Sequence, residues 1–169
     1  MKNNPLRKIA SIIPALLTEA MVFFFSSQDG NESGALSGGI TEKVARFLYR
    51  FFGNGRSEEE SLIFLENLET LIRKMGHAGE HGLLMLAVFL PVTVFTRKKD
   101  GYHSLFPRLC LSFLITVILA ASDEIHQLFV AGRACELTDV LIDASGALAM
   151  GLAITVIDLV IRHFKNKSK

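Results

Sequence analysis

Charge in this chain is crowded into a few segments. The apolar stretches Ile9 to Phe25, Gly82 to Thr96, Leu109 to Ser122 and Ala144 to Ile157 hold one charged residue between them, Glu19. Such stretches are too long and too uniformly apolar for ordinary buried helices, yet somewhat shorter than the roughly 20 residues a membrane-crossing helix needs. Continued helically into their polar flanks, they predict spans at about 9–25, 77–96, 108–129 and 139–161 in one domain covering 1–169. The expected fold class is therefore all-α: an integral membrane bundle of about four transmembrane helices, with amphipathic interfacial helices in the first outer connection. The lipid bilayer is its first partner. A formal net charge of +1 sums basic ends and an acidic middle, so no nucleic-acid partner is implied.

Lys2, Arg7 and Lys8 precede the first apolar run, which closes on Phe23-Phe24-Phe25-Ser26-Ser27-Gln28 without a small-x-small cleavage site. An uncleaved anchor is expected. Cys110 lies inside an apolar stretch and Cys135 in a polar connection, so no disulfide is expected between them. Orientation follows from basic residues near the span ends. Those at the amino end, the cluster Arg97, Lys98, Lys99 and Arg108, and the tail Arg162, Lys165, Lys167 and Lys169 place both termini and the middle loop in the cytoplasm. The first connection, which also carries Lys43, Arg46, Arg50, Arg56, Arg73 and Lys74, and the Arg133 connection then lie outside.

Within the first connection, Leu36, Ile40, Val44, Phe47, Leu48 and Phe51 share one helical face, with Gly53 as a stop. Ser57 and Glu60 form a capping-box pattern that opens a second run through Leu62, Leu65, Leu68, Ile72 and Met75. Helices at about 36–52 and 57–75 are expected to cover the outer face of the bundle, or else to pack only on each other as a hairpin. No internal repeat is present.

Polar residues converge on one boundary. Ser26-Ser27-Gln28 ends the first span, Arg73-Lys74-x-x-His77-x-x-Glu80-His81 opens the second, Ser122-Asp123-Glu124-x-His126-Gln127 ends the third, and Arg133, Asp139 and Asp143 lead into the fourth. Ionisable groups at membrane depth are expensive unless paired or facing water, and a shared polar pocket would satisfy them together. The Ser-Gln ending, the Lys-x-x-His-x-x-Glu entry and the run Asp-Glu-x-x-Gln-x-Phe-x3-Arg-x5-Asp-x6-Gly at 123–146 resemble the VanZ-like family over Ile9 to Ile161. That family is named for an accessory membrane protein associated with low-level teicoplanin resistance. His81 stands where the resemblance implies an aromatic such as Tyr, and Asp143 where it implies Asn. The resemblance implies a small membrane protein acting near the cell envelope, with glycopeptide resistance as one expectation, and supplies no reaction.

The chemistry must come from the residues. Arg73, Lys74 and Arg133, with Ser27, Gln28, Gln127, Asp139 and Asp143, are candidates for holding an anionic head group or pyrophosphate; pairing of the cations with Asp123, Glu124 or Asp139 is the plainer alternative. His77, Glu80 and His81 share one helix face in the His-x-x-Glu-His order of some zinc proteases. A divalent metal on His77, His81 and Asp123 stands against a hydrogen-bonded structural pair, and no cofactor is otherwise indicated. His77, Glu80, Asp123 and Glu124 are the catalytic candidates, because paired carboxylates can act as acid and base. Asp139, after Thr138, suits a helix cap; the pairs Asp123/Gln127 and Asp139/Asp143 also suit a lock between the third and fourth spans. Glu19 is either a functional carboxylate or a protonated acid bonded to Thr18 or a facing span. The small residues Ala144, Ser145, Gly146, Ala147, Ala149 and Gly151 read as close helix packing. Three functions compete: binding of an amphiphile, such as a lipid-linked cell-wall precursor or a lipophilic glycopeptide; a membrane-embedded hydrolase or transferase on His77, Glu80 and Asp123; and a small transporter or proton relay needing Glu19.

Overall fold

The computed structural model describes residues 5–52, 55, 57–96, 105–133 and 135–167, without the side chains of 30–33, 36 and 52. Lys2, Gly53, Arg56, Arg97, Lys98, Lys99 and Lys169, which enter the orientation and helix-stop readings above, lie outside these ranges, as does the side chain of Leu36. Among the described residues the chain forms five helices: α1 Pro5–Ser26, α2 Gly30–Phe52, α3 Glu58–Phe95, α4 Leu105–Gln127 and α5 Leu137–Lys167. Of these, α1, α3, α4 and α5 are long and apolar enough to cross a membrane. An all-α membrane bundle is the result. Leu16, Leu17, Phe24, Ile118, Leu152 and Val156 point outward from it, the arrangement of side chains solvated by lipid tails.

The second amphipathic run and the second apolar stretch, expected as separate elements, are one 38-residue helix. Gly76 and Gly79 fall at the expected break, but a helical glycine costs only about 1 kcal/mol, and no proline or cap supports an end there. The helix begins where its cap is built. The Ser57 hydroxyl accepts from the Glu60 N–H at 3.3 Å, and the Glu60 carboxylate accepts from the Ser57 N–H at 2.8 Å. Ser57→Ala is expected to cost about 1 kcal/mol of local stability, raising amide exchange over Glu58 to Ser61 about fivefold while the rest of α3 keeps its protection.

Helix α3 is the hub, touching every other helix, whereas the main contact of α2 is α3 itself. The two form an antiparallel hairpin, with Ser37 bonded to Glu69 at 2.9 Å and the Tyr49 and Phe64 rings 5.8 Å apart. On the bundle side, Leu84, Val88 and Val92 are buried against Ala15, Ile115 and Leu119. Residues at spacings of four repeat on one face of α3, and that face is its interior stripe. Small residues set how close α5 approaches. A Cβ added at Gly146 would overlap the Ala78 carbonyl, and one at Gly82 would stand 3.2 Å from the Gly146 oxygen. The span-four small residues thus bring two backbones together.

Candidate functional site

The C-terminal ends of α1 and α4, the N-terminal end of α5 and the middle of α3 meet at one end of the bundle. Val22 and Ser26, with Glu19 one turn earlier, make the interior face of α1. From it the Ser26 hydroxyl donates to Asp123 Oδ2 at 2.5 Å, and Gln127 Nε2 donates to the same oxygen at 3.2 Å and to Glu124 Oε1 at 3.0 Å. Glu124 Oε2 accepts the backbone N–H of Glu136 at 3.1 Å, just before α5 begins. The expected cap is thereby corrected: Asp139 lies inside the first turn of α5, and the carboxylate meeting the chain at its start is Glu124 of α4. An acid at either position still favours a helix N-terminus.

His81 and Asp143 are both fully buried, where α3 and α5 pack closest. Nδ1 of His81 stands 3.1 Å from Asp143 Oδ1 and 3.2 Å from the His77 carbonyl oxygen. Nδ1 is aligned with the carbonyl for a hydrogen bond, and the carboxylate stands beside the same ring atom without that alignment. His77 Nδ1 is 3.9 Å from the same Asp143 oxygen. Both Asp143 oxygens, His81 Nε2, Asp123 Oδ1 and Glu19 Oε2 lack a hydrogen-bond partner among the described residues. Buried polar atoms of this kind are ordinarily met by ordered water. The carboxylate against the two histidines is therefore Asp143, and no group of three His, Cys, Asp or Glu side chains among the described residues is arranged to hold a metal ion.

A cavity of about 190 Å³ opens beside this cluster, lined by Phe25, Ser26 and Gln28 of the first helix end, Ser37 and Ile40 of α2, Ile72, Arg73, Gly76, His77 and Glu80 of α3, and Arg133. Gly132, with φ 73°, turns the α4–α5 connection through a left-handed conformation that other residues rarely adopt. Arg133 follows, reaching the end of α1: its Nε donates to the Gln28 carbonyl at 3.3 Å and Nη2 to that of Phe25 at 3.5 Å. A cation there complements the α1 C-terminus. Among the described residues neither Arg73, Lys74 nor Arg133 lies within ion-pair distance of Asp123, Glu124 or Asp139.

Of the residues singled out above, the structure places Gln28, Arg73, His77, Glu80 and Arg133 on the cavity wall. Asp123, Glu124, Gln127 and Asp143 form the buried polar layer behind it, and Lys74, Ser27 and Asp139 lie apart from the wall, with the Ser27 hydroxyl turned to its own helix at the Phe23 carbonyl. Ser26, at the same helix end, is the residue that enters the site; its signal was the shared face with Glu19 and Val22. Cys110 and Cys135 are free and exposed.

The fold and its boundary-level polar layer define a small polytopic α-helical membrane protein. The chain belongs to the VanZ/LLP1 family, whose model matches residues 11–158. Comparison with curated proteins and with solved structures gives no match.

Proposed function

We propose that this protein binds the anionic phosphate of an amphiphile's head group in the cavity between α1, α2 and α3. The observation that carries the reading is a pair of guanidinium groups, Arg73 and Arg133, free of carboxylate partners among the described residues, on the wall of a cavity whose other lining includes Phe25, Ile40 and Ile72. Guanidinium forks suit phosphate, and the apolar wall suits the chain that follows it. Arg7, Lys8, Arg162, Lys165 and Lys167 sit at the opposite end of the bundle, which under the positive-inside bias supports a reading with the cavity on the outer face and both termini in the cytoplasm. A lipid-linked cell-wall precursor is the ligand we favour there; a lipophilic glycopeptide is the other, and through either the protein would contribute to teicoplanin resistance.

The test is native mass spectrometry of the detergent-purified protein with added phosphatidylglycerol. Arg73→Ala is expected to lower lipid retention roughly fivefold, the scale of one partly exposed charged contact. Arg133→Lys accompanies it, keeping a cation at the α1 terminus. Retention equal to wild type in both variants would falsify the reading. A second reading, hydrolysis or group transfer, is favoured by His77 and Glu80 lying on the same wall, where they would adjoin a bound head group. Glu80→Gln separates the two: binding survives in either case, and turnover stops only in the enzyme.

A further inference from the structure

The binding cavity is not isolated along α3. A second hollow, of about 280 Å³, shares Ser37, Arg73 and Arg133 with it and continues away from the bundle between Glu66, Glu69 and Thr70 of α3, Gly34 of α2 and the turn at Gly132. Glu66, Glu69 and Arg73 occupy successive turns of one face, about 10 Å from first to last at 1.5 Å per residue. A Glu and an Arg at i and i+4 would ordinarily pair along a helix. Here Glu69 Oε1 instead accepts the Ser37 hydroxyl at 2.9 Å, and among the described residues no ion pair joins Glu66 or Glu69 to either arginine. Two guanidiniums and two carboxylates therefore share one hollow without neutralising each other in direct contact.

We propose that the amphiphile's head group carries a primary amine on a short arm beyond its phosphate. This rests on the phosphate-binding reading above and names the chemical class within it, a zwitterionic head group. The phosphate lies between Arg73 and Arg133, the ammonium reaches Glu66 and Glu69, and the apolar chain leaves along Phe25, Ile40 and Ile72. A head group without the amine would keep its phosphate between the arginines but bring no cation to Glu66 and Glu69, and that missing attraction is the source of selectivity.

The full-length protein in detergent, at low ionic strength to limit screening, is offered phosphatidylethanolamine and phosphatidylglycerol of identical acyl chains in competition. Wild type is expected to retain the ethanolamine lipid about fivefold over the glycerol lipid, the scale of a partly exposed ion pair. Glu66→Gln combined with Glu69→Gln is expected to erase that preference while the glycerol lipid stays bound. Equal retention of both lipids by wild type overturns this inference and leaves the phosphate-binding reading standing. Retention of neither lipid by wild type overturns both. A preference that persists in the double variant overturns the assignment of the ammonium to these acids. The wild-type comparison needs no substitution, so poor folding of a variant cannot decide the outcome.

Discussion

Replacing Asp143 with alanine is expected to cost about 3–5 kcal/mol of stability, seen as a fall of roughly 10 °C in the melting temperature of the detergent-solubilised protein. The reason is the company Asp143 keeps. It is fully buried, and its carboxylate stands against His81, also fully buried, and faces His77 across 3.9 Å. Alanine leaves both imidazoles without that carboxylate in a place water reaches poorly, and it opens a hole at the closest packing of α3 on α5. Asp143→Asn keeps the shape and an acceptor, so its cost is expected to be about 1 kcal/mol. Pairing Asp143→Ala with His81→Ala completes the experiment: the combined loss is expected to fall well short of the two single losses added together. Full additivity would show that the two side chains do not interact.

Gly146→Ala is expected to cost about 3 kcal/mol, although it adds a single methyl group. The new atom would overlap the carbonyl of Ala78, and a backbone atom cannot swing aside as a side chain can. Relief requires α3 and α5 to part, which disturbs the His81–Asp143 contact beside the crossing. Gly151→Ala is the control. Its Cβ would stand 3.6 Å from the Met85 methyl group, an ordinary contact with a flexible side chain, so little change in melting temperature is expected. Equal effects at Gly146 and Gly151 would mean that the close backbone approach does not set the packing.

Much of the architecture was legible because membrane solvation imposes a crude rule, that long runs of apolar residues must be helices. Ile9 to Phe25 and Leu109 to Ser122 announce α1 and α4 on that basis alone. The continuity of α3 was not legible, since an amphipathic run leading into an apolar one satisfies the helical period whether or not the chain bends at Gly76. The polar residues of the site were visible as a set through their common level at the span ends. Their pairing was hidden, because it depends on how each helix is rotated about its axis. Asp123, read as a partner for a basic residue or a metal, bonds to Ser26 of α1, while the histidines turn to Asp143. His81 and Asp143, which stand where the resemblance implied an aromatic and an Asn, proved to be neighbours. Nothing in their spacing along the chain could have shown that.

The unbroken α3 also has a mechanical meaning. A helix of 38 residues is a rod about 57 Å long at 1.5 Å per residue, with the α2 hairpin fastened to one half and the bundle's interior stripe on the other. No loop separates the two halves, so the hairpin and the layer around His81 are parts of one continuous element. The cavity lies where the two halves meet, beside Gly76 and His77, so one rigid element carries both its wall and the packed layer below it.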